Sequence, residues 1–180
     1  MLILAGDHLK KEKNKIMGMS KYFTTKIKPT IIASKQTGVF TTGDVIFDWT
    51  SFTVPKGAKR IIGTTILMRG PDGVAQKAGL ELYFASTGDN SLGTVNATAN
   101  GTGFFNDLLG MQTILASEYG SYIDAMSMAD STAKRNILLP KTPQANKDGY
   151  DTFYIGGLAV TNNLPSFVST VIVDGVQATS

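Results

Sequence analysis

Arg60-Ile61-Ile62-Gly63-Thr64-Thr65-Ile66-Leu67-Met68 is the stretch on which the fold turns, because five of its nine residues are β-branched. Branching at Cβ restricts the side chain in a helix and suits it to a pleated surface, so residues 60–68 read as a strand. On the upstream side, Val54-Pro55-Lys56-Gly57 is a turn signal; on the downstream side, Gly70-Pro71-Asp72-Gly73 is another. The same alternation of short apolar runs and turn residues continues both ways. Residues 22–28 alternate, with Phe23, Thr25 and Ile27 on one side, and residues 44–50 carry Val45, Ile46, Phe47 and Trp49. Further strands are expected at 80–85, 111–116, 122–128, 136–139, 152–160 and 167–174, with turns at Gly88-Asp89-Asn90 and Asp148-Gly149. Only residues 105–110 and 130–135 read as brief helix. Nine short strands with no long amphipathic helix predict an all-β chain, a single β-sandwich or jelly-roll-like domain.

The 180 residues fit one domain, and a chain of this length buries a core without disulfides or metal. With no cysteine, thiolate chemistry, disulfides and zinc ribbons are excluded. The single histidine is His8, far from the strands, which leaves no imidazole base for a nucleophilic triad. Glutamates are confined to Glu12, Glu81 and Glu118, a poor supply for the paired carboxylates of a glycosidase. Asp89-Asn90, Asp72-Gly73 and residues 146–148 lack the spacing of a calcium loop and are explained by turn chemistry. Gly101-Thr102-Gly103 lacks the lysine and following helix of a phosphate loop. Gly156-Gly157, inside a strand, is read as a bulge or a point of close packing. Trp49 is read as a core residue rather than a sugar platform. No enzyme activity, cofactor or metal is therefore expected.

Charge divides the chain into two parts. Residues 1–28 hold seven lysines against Asp7 and Glu12, net +5, and the rest is net −2, which gives the whole-chain +3. Basic character thus belongs to an N-terminal arm, residues 1–21, and the domain proper is expected at 22–180. The arm has an apolar tip, Leu2, Ile3 and Leu4, then Lys10, Lys11, Lys13 and Lys15. It reads as a solvated tail or as an arm gripping a neighbouring subunit, and fully extended it reaches roughly 65 Å. Translation from Met17 or Met19 is the plainer account of its odd composition. Direct nucleic-acid binding is not expected, since no arginine or aromatic residue accompanies these lysines. Residues 1–5 are too short for a signal-peptide core, and no apolar run approaches a membrane span. Residues 90–103, poor in hydrophobics, are expected to form a long exposed loop.

The run Asp48-Trp49-Thr50-Ser51-Phe52-Thr53-Val54-Pro55-Lys56-Gly57-Ala58, leading into the strand at 60–69, resembles virion structural proteins of marine tailed bacteriophages. Residues 91–103 and 146–155, the latter around Gly149-Tyr150-Asp151, are similar to the same group. The resemblance spans about residues 22–174, has no counterpart for the first twenty, and supplies no catalytic residues. It implies residence in a phage particle of a marine cyanobacterium or similar host. The expected role is a capsid decoration, or cement, protein on the virion surface. Its partner would be the major capsid protein, and it would itself be a dimer or trimer. A head-fibre, tail or connector component is the neighbouring alternative, and a glycan-binding host-attachment module is the alternative of another class. Contact residues are expected at Leu2, Ile3, Leu4, Lys10, Lys11, Lys13 and Lys15 in the arm, at Asn96 and Asn100 in the loop, and at Tyr119 and Tyr150.

Overall fold

The computed structural model describes residues 22–29, 40–69, 77–123, 126–140, 150–160 and 168–177. The arm contacts Leu2, Ile3, Leu4, Lys10, Lys11, Lys13 and Lys15, and the turns at 70–73 and 148–149, lie outside the described residues. Nine strands follow in order: β1 (Tyr22–Ile27), β2 (Val45–Pro55), β3 (Ala58–Arg69), β4 (Leu80–Ala85), β5 (Leu108–Ile114), β6 (Gly120–Ile123), β7 (Met126–Leu138), β8 (Tyr150–Ala159) and β9 (Val168–Gln177). They form two sheets, ordered β1-β9-β3-β7-β6 and β2-β8-β4-β5, with every strand pair antiparallel. The protein is an all-β sandwich.

Why these residues make these strands follows from the alternation. In β2, Phe52 and Val54 are buried while Ser51 and Thr53 are exposed; in β3, Ile61, Thr64, Ile66 and Met68 point inward. The turn at Lys56-Gly57, with Gly57 at φ +81°, carries the chain from one sheet to the other rather than closing a hairpin, because β2 pairs with β8 and β3 with β7 and β9. Register shifts on either side of Phe47 turn successive residues Ile46 and Phe47 both into the main core. That core is centred on Phe52, whose ring meets Phe84 edge-on and Phe153 at a tilt, each with centroids 6.3 Å apart.

A polar contact crosses the core. The Thr64 hydroxyl on β3 donates to Gln112 Oε1 on β5 at 2.7 Å, with both side chains buried. A buried acceptor that loses its donor carries a desolvation penalty. Thr64→Val is therefore expected to cost about 1–2 kcal/mol, read as a lower urea midpoint at unchanged slope. An unchanged midpoint would show that the two sheets do not depend on this bond.

Two expectations are corrected. Residues 130–135 are not helical but lie within the thirteen-residue strand β7, where Asp130, Ser131 and Thr132 pair with Thr65, Thr64 and Gly63. Residues 105–110 are not helical either. A 3-10 turn occupies Gly101–Phe105, and β5 begins at Leu108. The strand expected at 136–139 is the end of β7, and that expected at 122–128 divides into β6 and the start of β7.

Candidate functional site

The outer face of the β2-β8-β4-β5 sheet carries the most distinctive surface of the described chain. Over β2, β8 and β4 it is roofed by the segment between β4 and β5. Leu92 from that segment is fully buried against Val45 and Leu158, and Trp49, Tyr83, Ala99 and Phe104 pack around them. The expected long loop is present and most of residues 90–103 are exposed, but Leu92 and Gly103 are buried and fasten it to the sheet. Poor as it is in hydrophobics, the segment covers the sheet with Leu92 and Ala99, while Val95 packs against the main core.

Side chains pin the roof at three points. Asp48 on β2 accepts from the Leu92 amide at 2.7 Å and from the Ser91 hydroxyl at 2.6 Å. Asn106 accepts from the Asn90 amide at 2.9 Å and returns a bond to the Asn90 carbonyl at 2.6 Å. The Asn100 side chain accepts from the Thr102 amide, capping the 3-10 turn. The backbone adds Val45 N to the Ala97 carbonyl at 2.9 Å and Asn96 N to the Val45 carbonyl at 2.8 Å. Beneath the roof, Gly156 gives Leu92 its seat, since a Cβ there would stand 2.3 Å from Leu92 Cδ1. The glycine pair is thus a close-packing device. Hydrogen bonds to a carboxylate are worth about 1.5–3 kcal/mol each before solvent exposure is allowed for. Asp48→Ala is expected to cost about 2–3 kcal/mol and to raise hydrogen exchange in residues 90–103 before the strands respond. Equal exchange in that segment would mean that Asp48 does not hold it.

The roof stops short of β5. On the outer face, Tyr83 stands opposite Met111 and Ala85 opposite Leu108. Tyr83 is covered, its ring meeting Phe104 at 5.1 Å, whereas Leu108 is 40% and Met111 51% exposed. Leu115 continues the row at 51%, and Phe105, at the foot of the roof, is 80% exposed. Among the described residues β5 is paired on one side only, by β4. It holds neither charge nor proline, the usual protections of an edge strand. An uncovered apolar row along an unprotected edge is the kind of surface that protein contacts use.

Two tyrosines near this region stay protonated. Burial, the hydrogen bond donated to Glu81 at 2.6 Å and the Glu81 charge push the Tyr83 phenol above its ordinary range. Burial, followed by the charge of Glu118, does the same to Tyr119.

The expected contact residues fall out differently. Tyr119 is only 3% exposed, with its hydroxyl unpartnered among the described residues, so it packs in the core and is not a contact. Tyr150 opens β8 opposite Pro55 instead of standing in a loop. Asn96 is half-buried at φ +61°, and Asn100 is exposed but occupied as a cap. Trp49 is half-buried under the roof, packed against Val45, Leu92 and Leu158, its indole nitrogen buried and unpartnered among the described residues. Sequence reasoning missed the β5 row because both phases of the strand are apolar: Leu108 and Ile114 in one, Leu109, Met111 and Leu115 in the other. An open groove of about 300 Å³ also runs between β1 and β2, lined by Lys26, Lys28, Thr25, Thr50, Ser51 and Thr53. No group of three His, Cys, Asp or Glu side chains suited to a metal occurs among the described residues.

Comparison with known proteins adds no family. No family model and no curated protein match the chain. The structure of infectious bursal disease virus, Gx strain, aligns with 88% of this chain and 37% of its own at 12% identity, with a TM-score of 0.17. That superposition is too poor to carry an argument about fold or function.

Proposed function

We propose that this chain is a structural component of a phage particle, a decoration protein that binds the outer capsid shell and bridges neighbouring major capsid subunits. The observation that carries this reading is the bare apolar row of Phe105, Leu108, Met111 and Leu115 beside a roofed sheet face. A protein that covers most of one face with its own loop and leaves an edge uncovered is built for contact with other protein. The resemblance of residues 48–58 and 91–103 to virion proteins of marine tailed phages supports the setting. The rigid sandwich suits a load-bearing role, in which repeated interfaces of roughly 1,600 Å² add up across the seams of a shell. Quantitative mass spectrometry of purified particles tests it. A copy number comparable with the major capsid protein is expected. A few copies per particle would move the reading to a fibre or vertex part, and absence from the particle would end it.

A further inference from the structure

The charge map of the chain is more polarised than its net value suggests. Residues 78–133 contain no lysine, arginine or histidine and six acids: Glu81, Asp89, Asp107, Glu118, Asp124 and Asp130. This block is β4, the roof, β5, β6 and the start of β7. Asp107 and Glu118 are exposed and bracket the bare row at its two ends, and exposed Asp89 stands at the start of the roof. Residues 1–28, by contrast, are net +5. The sequence therefore carries a basic segment with an apolar head and, elsewhere, an apolar row set in an acidic field.

We propose that residues 1–21 of one copy dock along the β5 edge of a neighbouring copy, the apolar head on the Leu108–Met111–Leu115 row and the lysines against the flanking carboxylates. This names a partner for the contact surface described above and rests on reading that surface as a protein contact.

The dimensions fit. β5 with its continuation to Leu115 is roughly 25 Å long at about 3.3 Å per residue. Leu2, Ile3 and Leu4 precede Lys10 by a similar extended length. A head lying on the row therefore carries Lys10, Lys11, Lys13 and Lys15 past one of its ends, where Asp107 or Glu118 stands. The free edge of β5 offers the backbone an added strand, a recognition mode in which main-chain bonds give affinity and alternate side chains give selectivity.

Reaching a neighbour asks less of the arm than reaching the β5 edge of its own body. β1 and β6 are the opposite edges of the five-stranded sheet, and β5 packs against β7 beside β6. With Lys15 held at β5, only residues 16–21 remain to reach Tyr22, at most about 25 Å. The route around the same molecule crosses a sheet separation of about 10 Å and three strand spacings of about 4.8 Å, which takes up nearly all of that reach before the roof is crossed. A second copy requires no such detour.

Sedimentation velocity on the purified chain tests the proposal with three variants. The full chain is expected to associate with rising concentration and to dissociate with added salt, as screened lysine–carboxylate pairs do. Deletion of residues 1–20 removes nothing from the nine strands and is expected to leave a monomer. So is the arm variant K10E/K11E/K13E/K15E, and so is the edge variant M111D/L115D, which alters exposed positions only. Mixing the arm variant with the edge variant is the decisive arm of the experiment. One intact arm then meets one intact edge, and a two-chain species is expected to reappear. A monomeric full chain, a deletion that still associates, or a mixture that stays monomeric would each overturn the proposal. Failure here is separable from failure of the particle reading. A monomeric chain whose edge variant still loses capsid binding retires only the arm, whereas arm exchange in a chain absent from particles retires only the capsid.

Discussion

Gly157→Ala is expected to cost about 3 kcal/mol, at the upper end of overpacking, and to lower the melting temperature by roughly 6–12 °C in a chain of this size. Gly157 lies in β8, between β2 and β4, directly opposite Phe47 and Leu82. An added Cβ would stand 2.4 Å from Phe47 Cε1 and 2.7 Å from Cζ. The Phe47 ring is fully buried, so it has no solvent side to move toward. Relief must come from displacing β8 itself, the strand that joins β2 to the rest of its sheet. The shorter side chain in Phe47→Leu removes the obstacle, so the double variant should recover part of the loss, and the coupling should appear in a double-mutant cycle. Calorimetric melting checks both. A single variant that melts like the parent would show that the ring yields, and the close-packing account would fail.

Gly103→Ala is expected to act on a smaller part of the molecule with comparable force. The new Cβ would lie 2.6 Å from both Leu92 Cα and the Ser91 carbonyl oxygen. Both are backbone atoms, and their segment is held by Asp48, so no side-chain rotation relieves the collision. The roof should lift from the sheet at a cost of about 2–3 kcal/mol, uncovering Trp49 and Tyr83. Hydrogen exchange at the Leu92 and Asn100 amides should rise many-fold while the strand amides stay protected, and Trp49 fluorescence should shift to the red. Unchanged protection at Leu92 would mean that the roof does not depend on this approach. Asp48→Ala and Gly103→Ala release the same segment, so together they should cost less than the sum of the two.

Most of the architecture can be read from residue order, and the reasons are local. Residues 60–68 are strand by branching and 80–85 by alternation, and β3 and β4 occupy those positions with few changes at their ends. Residues 130–135 misled because Ala133, Lys134 and Arg135 favour helix in isolation. Thr132 and Ile137 on either side of them pair with Gly63 and Ile61 of β3, and that flanking pairing holds the stretch in strand against a preference of a few tenths of a kcal/mol per residue. Residues 105–110 misled for another reason: Asn106 and Asp107 form a corner there, with Asp107 at φ +49° and Asn106 bonded back to Asn90. No local pattern announces a partner sixteen positions away. The exposed apolar row was the least legible part. Exposure of Met111 and Leu115 depends on where the roof ends, and burial of Tyr119 depends on β7 and its neighbours, both tertiary facts. The acidic block at 78–133 was in plain view. It gains meaning once β4, β5 and the roof are seen to share one face.

The strand pairings are nested: β1 with β9, β2 with β8, β3 with β7. β9 is the strand between β1 and β3, and β8 is the strand between β2 and β4. The four-stranded sheet cannot close before β8 is made, nor the five-stranded sheet before β9, so the early strands must wait in solution with their edges open. Such a chain matures late and all at once, in the milliseconds-to-seconds range of folds dominated by distant pairings. A polypeptide interrupted before residue 168 would lack the strand that joins β1 to β3. Incomplete synthesis would then leave β1 without its partner and one edge of β3 open, so the order of the strands ties a closed sheet to the making of β9.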